Sequence, residues 1–221
     1  MRAVSSLRRF DLTRGLLGPE EEKEVVERLS RGELVVYPTD TLYAIGCRAL
    51  DAAAVRALRS AKARDADKAL PLIAADLEQA RSCTRDWSDE AERLATGFWP
   101  GPLTLVLDAS PTVPREVLGA GSSLAVRVPA SLFATRLAAL AGPLVSTSAN
   151  LAGEPPCRTV DLALASFPAA TLAFDAGPLD GAPSTILEPR AGGEIRVVRE
   201  GRIPIDAVRE RLGPGANVTT L

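Results

Sequence analysis

Short runs of consecutive apolar residues recur along the chain, separated by stretches with helical spacing. This alternation restricts the fold more than any other feature. Leu34-Val35-Val36-Tyr37 is the first run. It is too short for a helix and apolar at successive positions, as in a strand covered on both faces. Similar runs follow at 70–74, 103–107, 124–128, 144–145, 171–174, 185–187 and 195–198. Helices are expected between several of them. Pro19 followed by Glu20, Glu21 and Glu22 opens one with acids in its first turn, and Gly32 closes it. Asp51 is a good N-cap for an Ala- and Leu-rich helix running to Ala61. Others are expected around 89–95, 132–140, 159–165 and 204–212. Strands alternating with helices predict an α/β domain on a mostly central, mixed sheet. No repeat, low-complexity linker or boundary divides the chain. One domain over 19–212 is expected, preceded by an arm over 1–18 and followed by a tail over 213–221.

With 221 residues, 46% of them hydrophobic, the chain can bury a substantial core. It contains no histidine. That excludes a Ser-His-Asp or Cys-His nucleophile, an HExxH zinc helix and any imidazole base. Chemistry here must run on carboxylates, hydroxyls, amides, Lys and Arg. A net charge of -2 and a pI near 5.4 argue against a protein coated in nucleic acid, while leaving room for a local basic cleft. Cys47, Cys83 and Cys157 are widely spaced, with no CxxC, and read as reduced thiols of a cytoplasmic protein. No apolar run is long enough to span a bilayer. The N-terminus carries Arg2, Arg8, Arg9 and Arg14 without an apolar core, so it does not read as a secretory signal. It faintly resembles an organelle transit peptide; a solvated arm is the simpler reading.

Five segments stand out from plain packing. Pro38-Thr39-Asp40-Thr41-Leu42-Tyr43-Ala44-Ile45-Gly46 follows the first strand and offers two hydroxyls and a carboxylate at a sheet edge, where α/β proteins hold ligands. Taken alone, a capped turn explains it as well or better. Residues 56–68 hold Arg56, Arg59, Lys62, Arg64 and Lys68 against Asp65 and Asp67. Such a run is either a solvated helix end or a polyphosphate clamp. Phe98-Trp99-Pro100-Gly101-Pro102-Leu103-Thr104 reads as a packed turn with a structural role. In Ser122-Ser123-Leu124-Ala125-Val126-Arg127-Val128, the arginine interrupts an apolar strand and either leaves at an edge or faces an anion. Finally, Ser146-Thr147-Ser148-Ala149-Asn150 follows an apolar strand, where hydroxyls and an amide suit phosphate oxygens or a hydrated Mg²⁺.

Together and in this order, these segments resemble the YrdC-type threonylcarbamoyl-AMP synthases. The resemblance rests on PTDTLYAIG, Lys62-Ala63-Arg64 as the family's KxR, FWPGPLTLVL, SLAVRVP and STSAN with Ser148-Ala149-Asn150 as its SxN. Ser184-Thr185-Ile186 and Val198-Arg199-Glu200-Gly201 complete it. It covers residues 20 to 210 and suggests the short, single-domain form. It implies an open, twisted mixed sheet flanked by helices around a positively charged cavity. The implied activity forms threonylcarbamoyl-AMP and pyrophosphate from L-threonine, bicarbonate and ATP with Mg²⁺. The product would pass to a protein complex that modifies tRNA.

The resemblance also implies roles. Lys62 and Arg64 would be cations facing phosphate and carbamate, acting with Ser148 and Asn150 of SxN. Thr41, Arg127, Ser146 and Ser184 would hold threonine, with Arg127 on its carboxylate. Arg64, Lys68, Ser123, Ser148, Pro156 and Arg199 would line the ATP side. No protein side chain is implied as a metal ligand. The sequence departs from the pattern twice: Asp65 stands where proline usually follows KxR, and Lys68-Ala69-Leu70-Pro71-Leu72-Ile73-Ala74 lacks the histidine of longer relatives. Two other readings remain beside it. One is a translation or ribosome-maturation factor binding double-stranded RNA or tRNA through the same cleft, which the acidic pI and scarce aromatics disfavour. The other is a carbamoyl-transfer module like those of hydrogenase maturation proteins, disfavoured because their additional domains have no counterpart here.

Overall fold

The structure is a computed structural model that describes residues 6–63, 65, 67–151 and 153–220. Its strands are β1 (Arg8–Asp11), β2 (Val35–Pro38), β3 (Tyr43–Arg48), β4 (Leu72–Ile73), β5 (Leu103–Asp108), β6 (Ser123–Arg127), β7 (Leu144–Ser148), β8 (Leu172–Asp175), β9 (Thr185–Pro189), β10 (Glu194–Arg199) and β11 (Asn217–Thr220). They form one 11-stranded mixed sheet in the order β1-β8-β2-β3-β7-β4-β6-β5-β9-β10-β11. The helices are α1 (Pro19–Ser30), α2 (Ala52–Ala61), α3 (Leu77–Cys83), α4 (Asp89–Phe98), α5 (Arg115–Leu118), α6 (Leu132–Ala141), α7 (Val160–Ser166) and α8 (Ile205–Leu212). The expected α/β class and mixed sheet are therefore found. None of the described helices is long and apolar enough to cross a membrane.

Local chemistry sets the element boundaries. The Asp51 carboxylate accepts from the backbone N–H groups of Ala53 and Ala54, capping α2. Pro19 opens α1, and the Glu21 carboxylate reaches back to the Gly18 N–H at 3.0 Å. Strand β3 lacks a recognisable sequence signal because PTDT looks like a terminus. Instead Thr39 builds a tight turn: its hydroxyl accepts from Leu42 N–H at 3.1 Å and donates to Leu42 C=O at 2.8 Å. The chain reverses, and β3 pairs antiparallel with β2, placing Val36 opposite Ile45.

Both chain ends differ from the expected arm and tail. Within 1–18, residues 8–11 form β1, parallel to β8, with Phe10 4% exposed and stacked on Phe174 at 5.1 Å. Within 213–221, residues 217–220 form β11 beside β10. Each is a short polar or charged edge strand with a single inward apolar residue, too weak a pattern to read from sequence.

The two faces of the sheet are covered unequally. On one, Val36, Ile45, Val145, Val126, Leu105, Leu187 and Ile195 join a core that continues into α2, α4, α7 and α8. It spans the sheet from β2 to β10. The opposite face carries a smaller core: Val35, Tyr37, Ala44, Ile73, Leu144 and Phe174 under Val25 and Leu29 of α1 and Phe133 and Leu137 of α6. No residue of β5, β6, β9 or β10 joins this second core. Their residues that alternate with the first core, including Thr104, Ala125, Arg127 and Ile186, are left without helical cover.

Gly46 of β3 sits where two layers meet. A Cβ there would collide with the Val145 carbonyl and press on the Tyr37 ring at 3.2 Å. Gly46→Ala is expected to cost about 1–3 kcal/mol or more by forcing the β3–β7 ladder apart. Urea denaturation followed by circular dichroism checks it.

Candidate active site

The uncovered half of the sheet holds a cavity of about 520 Å³. Strand register decides what lines it. Ser148 pairs with Ala44 and Ser146 with Gly46, so both serines share the face of Ala44 and project into the cavity. Thr104 lies opposite Ile186, and both line it from β5 and β9. Arg199 arrives by a bulge. Val197 pairs with Leu187 but Arg199 pairs with Ile186, so one extra residue turns Arg199 onto the cavity face. The Thr39–Thr41 turn, Pro156 and Ser184 close the remaining sides.

Arg127, at the end of β6, is 8% exposed. Its Nε donates to Gly101 C=O at 2.9 Å and its Nη1 to Thr41 Oγ1 at 3.3 Å. Its Nη2 pairs with the Asp40 carboxylate, itself 13% exposed. Burial pulls the guanidinium below its ordinary value while Asp40 pushes it back, and an arginine stays cationic under both influences. This answers the alternative left open for Arg127: it is buried and faces an anion. The partner carbonyl comes from the Phe98–Thr104 turn, to which the sequence assigned only packing. That reading is corrected, because Gly101 orients Arg127 and Thr104 lines the cavity.

A second polar chain crosses the other wall. The hydroxyls of Thr104 and Ser184 lie 2.9 Å apart. Arg199 Nη2 donates to Ser184 C=O at 2.7 Å and to Ser184 Oγ at 3.2 Å. Across from them the Asn150 amide nitrogen donates to Leu151 C=O and Glu154 C=O, and Asn150 Oδ1 is buried with no partner among the described residues. The described lining holds two arginines, several hydroxyls and no carboxylate. Such a surface suits a small anion with hydrogen-bonding groups.

Of the residues expected at a site, Thr41, Arg127, Ser146, Ser148, Asn150, Pro156, Ser184 and Arg199 are brought together in this lining. Lys62 is not part of it. It caps α2, is 7% exposed, and donates from Nζ to Ser148 C=O at 2.7 Å and Asn150 C=O at 2.9 Å. Its ammonium also lies 5.0 Å from the Phe167 ring centroid. Lys62 thus supports the Ser148–Asn150 loop from behind. Lys68 is exposed on the following loop, and Ser123 lies at the opposite end of β6 from Arg127. Arg64 lies outside the described residues. Arg59 anchors that loop, donating to Asp65 C=O and Lys68 C=O at 2.9 Å each. Sequence reasoning placed Thr39 and Asp40 at a candidate ligand edge without giving them a role, and it missed Thr104. The signal for Thr104 was present: a hydroxyl inside LTLVL parallels the arginine inside SLAVR.

Fold and cavity together define an α/β protein with a polar, arginine-bearing cavity on its mixed sheet. The family model described as telomere recombination, for Sua5, YciO and YrdC, matches residues 27–201, and the chain belongs to this family. A threonylcarbamoyl-AMP synthase of Yersinia enterocolitica is 37% identical over 178 residues, covering 78% of this chain and 93% of the relative. One of Pyrococcus abyssi is 36% identical over 188 residues, covering 84% of this chain. The chain spans 55% of that longer relative. The crystal structure of P. abyssi Sua5 complexed with L-threonine superposes with a TM-score of 0.85 at 30% identity, over 96% of this chain and 62% of that one. E. coli YciO gives 0.81 at 25% identity, over 92% and 100%.

Lys62→Met keeps the stem but leaves two carbonyls without their charged donor. It is expected to cost about 1–3 kcal/mol and to speed amide exchange at Asn150. Thermal unfolding together with hydrogen exchange reads both effects.

Proposed function

We propose that this protein is an L-threonylcarbamoyladenylate synthase. In this reading L-threonine, bicarbonate and ATP give threonylcarbamoyl-AMP, pyrophosphate and water. The observation that carries it is the convergence of Thr41, Arg127, Ser146 and Ser184 on one cavity, in a family with a relative crystallised with L-threonine.

The amine of threonine attacks bicarbonate, water leaves, and a carbamate forms. A carbamate oxygen then attacks the α-phosphorus of ATP in line, and pyrophosphate departs. The carbamate and ATP are both anionic, so catalysis of this step consists of neutralising charge and aligning the attack. Arg127 receives the threonine carboxylate, with the hydroxyls of Thr41, Ser146 and Ser184 around it. Arg199 and Ser148 face the nucleotide, Pro156 walls it, and Lys62 holds the loop that carries Ser148 and Asn150. Arg64, Lys68 and Ser123 complete the phosphate side in this reading, which requires the loop after α2 to fold toward bound ATP.

The described residues offer no cluster of three acidic, cysteine or histidine ligands for a metal. The orphaned Asn150 Oδ1 and the Ser148 hydroxyl nevertheless fit a Mg²⁺ that arrives with ATP and keeps its water and phosphate ligands. The ion would offset charge on the leaving pyrophosphate. The catalytic unit is residues 19–212. The reading also includes a cytoplasmic location, hand-over of the labile adenylate to a tRNA-modifying complex, and at most weak direct contact with tRNA.

Purified protein should release pyrophosphate only when ATP, Mg²⁺, bicarbonate and L-threonine are all present. No release under those conditions overturns the proposal. Arg127→Ala should raise the KM for threonine by about 10–100-fold, the loss of one charge-assisted pair, while leaving the KM for ATP within about threefold.

A further inference from the structure

Threonine is a zwitterion, and an arginine answers only half of it. The described cavity lining contains no carboxylate to receive the ammonium group. The acid beside it is Asp40, between two lining residues, Thr39 and Thr41, and bonded to a third, Arg127. A carboxylate accommodates about four hydrogen bonds. The Asp40 side chain accepts one, from Arg127 Nη2, and its Oδ2 is buried with no partner among the described residues. A buried carboxylate oxygen left unpaired is costly, so such an atom points to a donor supplied from outside the chain.

The backbone around Asp40 is held firmly. Thr39 ties the turn to Leu42, and Arg202 Nη1 donates to Asp40 C=O at 3.2 Å. The pair Asp40–Arg127 is therefore a fixed dipole at the cavity wall, carboxylate beside guanidinium. We propose that this pair reads the zwitterion as a unit: Arg127 takes the substrate carboxylate and Asp40 takes the substrate ammonium, making Asp40 the residue that selects an amino acid over a hydroxy acid. The inference rests on the proposed function and deepens it. Opposed dipoles attract without adding net charge, so the site can hold threonine next to polyanionic ATP. The same contact gives the ammonium proton an acceptor. Deprotonation of the ammonium, its proton leaving to water, gives the neutral amine whose lone pair attacks bicarbonate.

The experiment is calorimetric titration with L-threonine and with the 2,3-dihydroxybutanoate that carries a hydroxyl in place of the ammonium. Wild-type protein should prefer threonine by about tenfold or more, as a charge-assisted contact implies. In Asp40→Asn that preference should fall to within about threefold, through loss of threonine affinity alone; Asp40→Glu should retain more of it. Equal wild-type affinity for the two ligands overturns the proposal without any variant, which keeps it testable should Asp40→Asn misfold. Equal weakening of both ligands in Asp40→Asn also overturns it, because Asp40 would then only orient Arg127. If wild-type protein binds neither ligand, the functional reading itself fails, and this inference fails with it.

Discussion

A sheet eleven strands wide needs apolar cover on both faces, and this chain supplies it in full on only one. Helices α1 and α6 cover part of the other face from β1 to β4; the cavity reaches onto β3, β7 and β4, and no strand beyond β4 joins the second core. Uncovered positions there include polar residues such as Thr104 and Arg127, where β2 is apolar throughout. The cavity follows from that imbalance. Its floor is a rigid ladder, and its polar groups point one way because the pleat allows no other direction. A ligand site on strands keeps its geometry better than one built on loops.

Two cations are buried near this floor, and their compensation differs. Lys62 is met by two neutral carbonyls and an aromatic ring, a combination that holds a loop in place. Arg127 is met by one carbonyl, one hydroxyl and a carboxylate that keeps spare accepting capacity. The first arrangement is closed and serves shape. The second leaves Asp40 Oδ2 unpaired among the described residues, beside a lining arginine. Burial makes both expensive to disturb, since removing one partner strands the other in a low-dielectric interior. The loops of β3, β6 and β7 are thereby coupled through side chains from different parts of the chain.

Much of this was legible in the sequence, and the reasons for the misses are physical. The strands with continuous or alternating apolar runs and the helices with clear caps, such as Asp51 and Pro19, are where the pattern puts them. Most residues the resemblance pointed to line one cavity, because PTDT, SLAVR and STSAN each place a polar residue directly after or within a strand. What escaped depends on tertiary context. Strand β3 is hidden by a turn that the Thr39 hydroxyl and backbone N–H tie to Leu42. Strands β1 and β11 are short edges with little apolar signal. The placement of Lys62 could not be read because spacing along α2 fixes a residue's position at the helix end, not which way its long side chain turns. Thr104 was overlooked because its segment is dominated by Trp99, Pro100 and Gly101, which suggest packing.

The missing histidine takes on a sharper meaning at this site. An imidazole is valuable where a group must gain and lose a proton near neutral pH. The cavity's cations are arginines, which hold their charge throughout that range, and its remaining polar groups are hydroxyls and an amide that never ionise there. Such a surface cannot act by switching protonation state. Fixed charges and dipoles are what the proposed reaction, which joins two anions, requires. Within the same wall, the one ionisable group with unused capacity is Asp40, a carboxylate already tied to Arg127. In the proposed reading that carboxylate meets the substrate ammonium directly, so recognition calls for no imidazole.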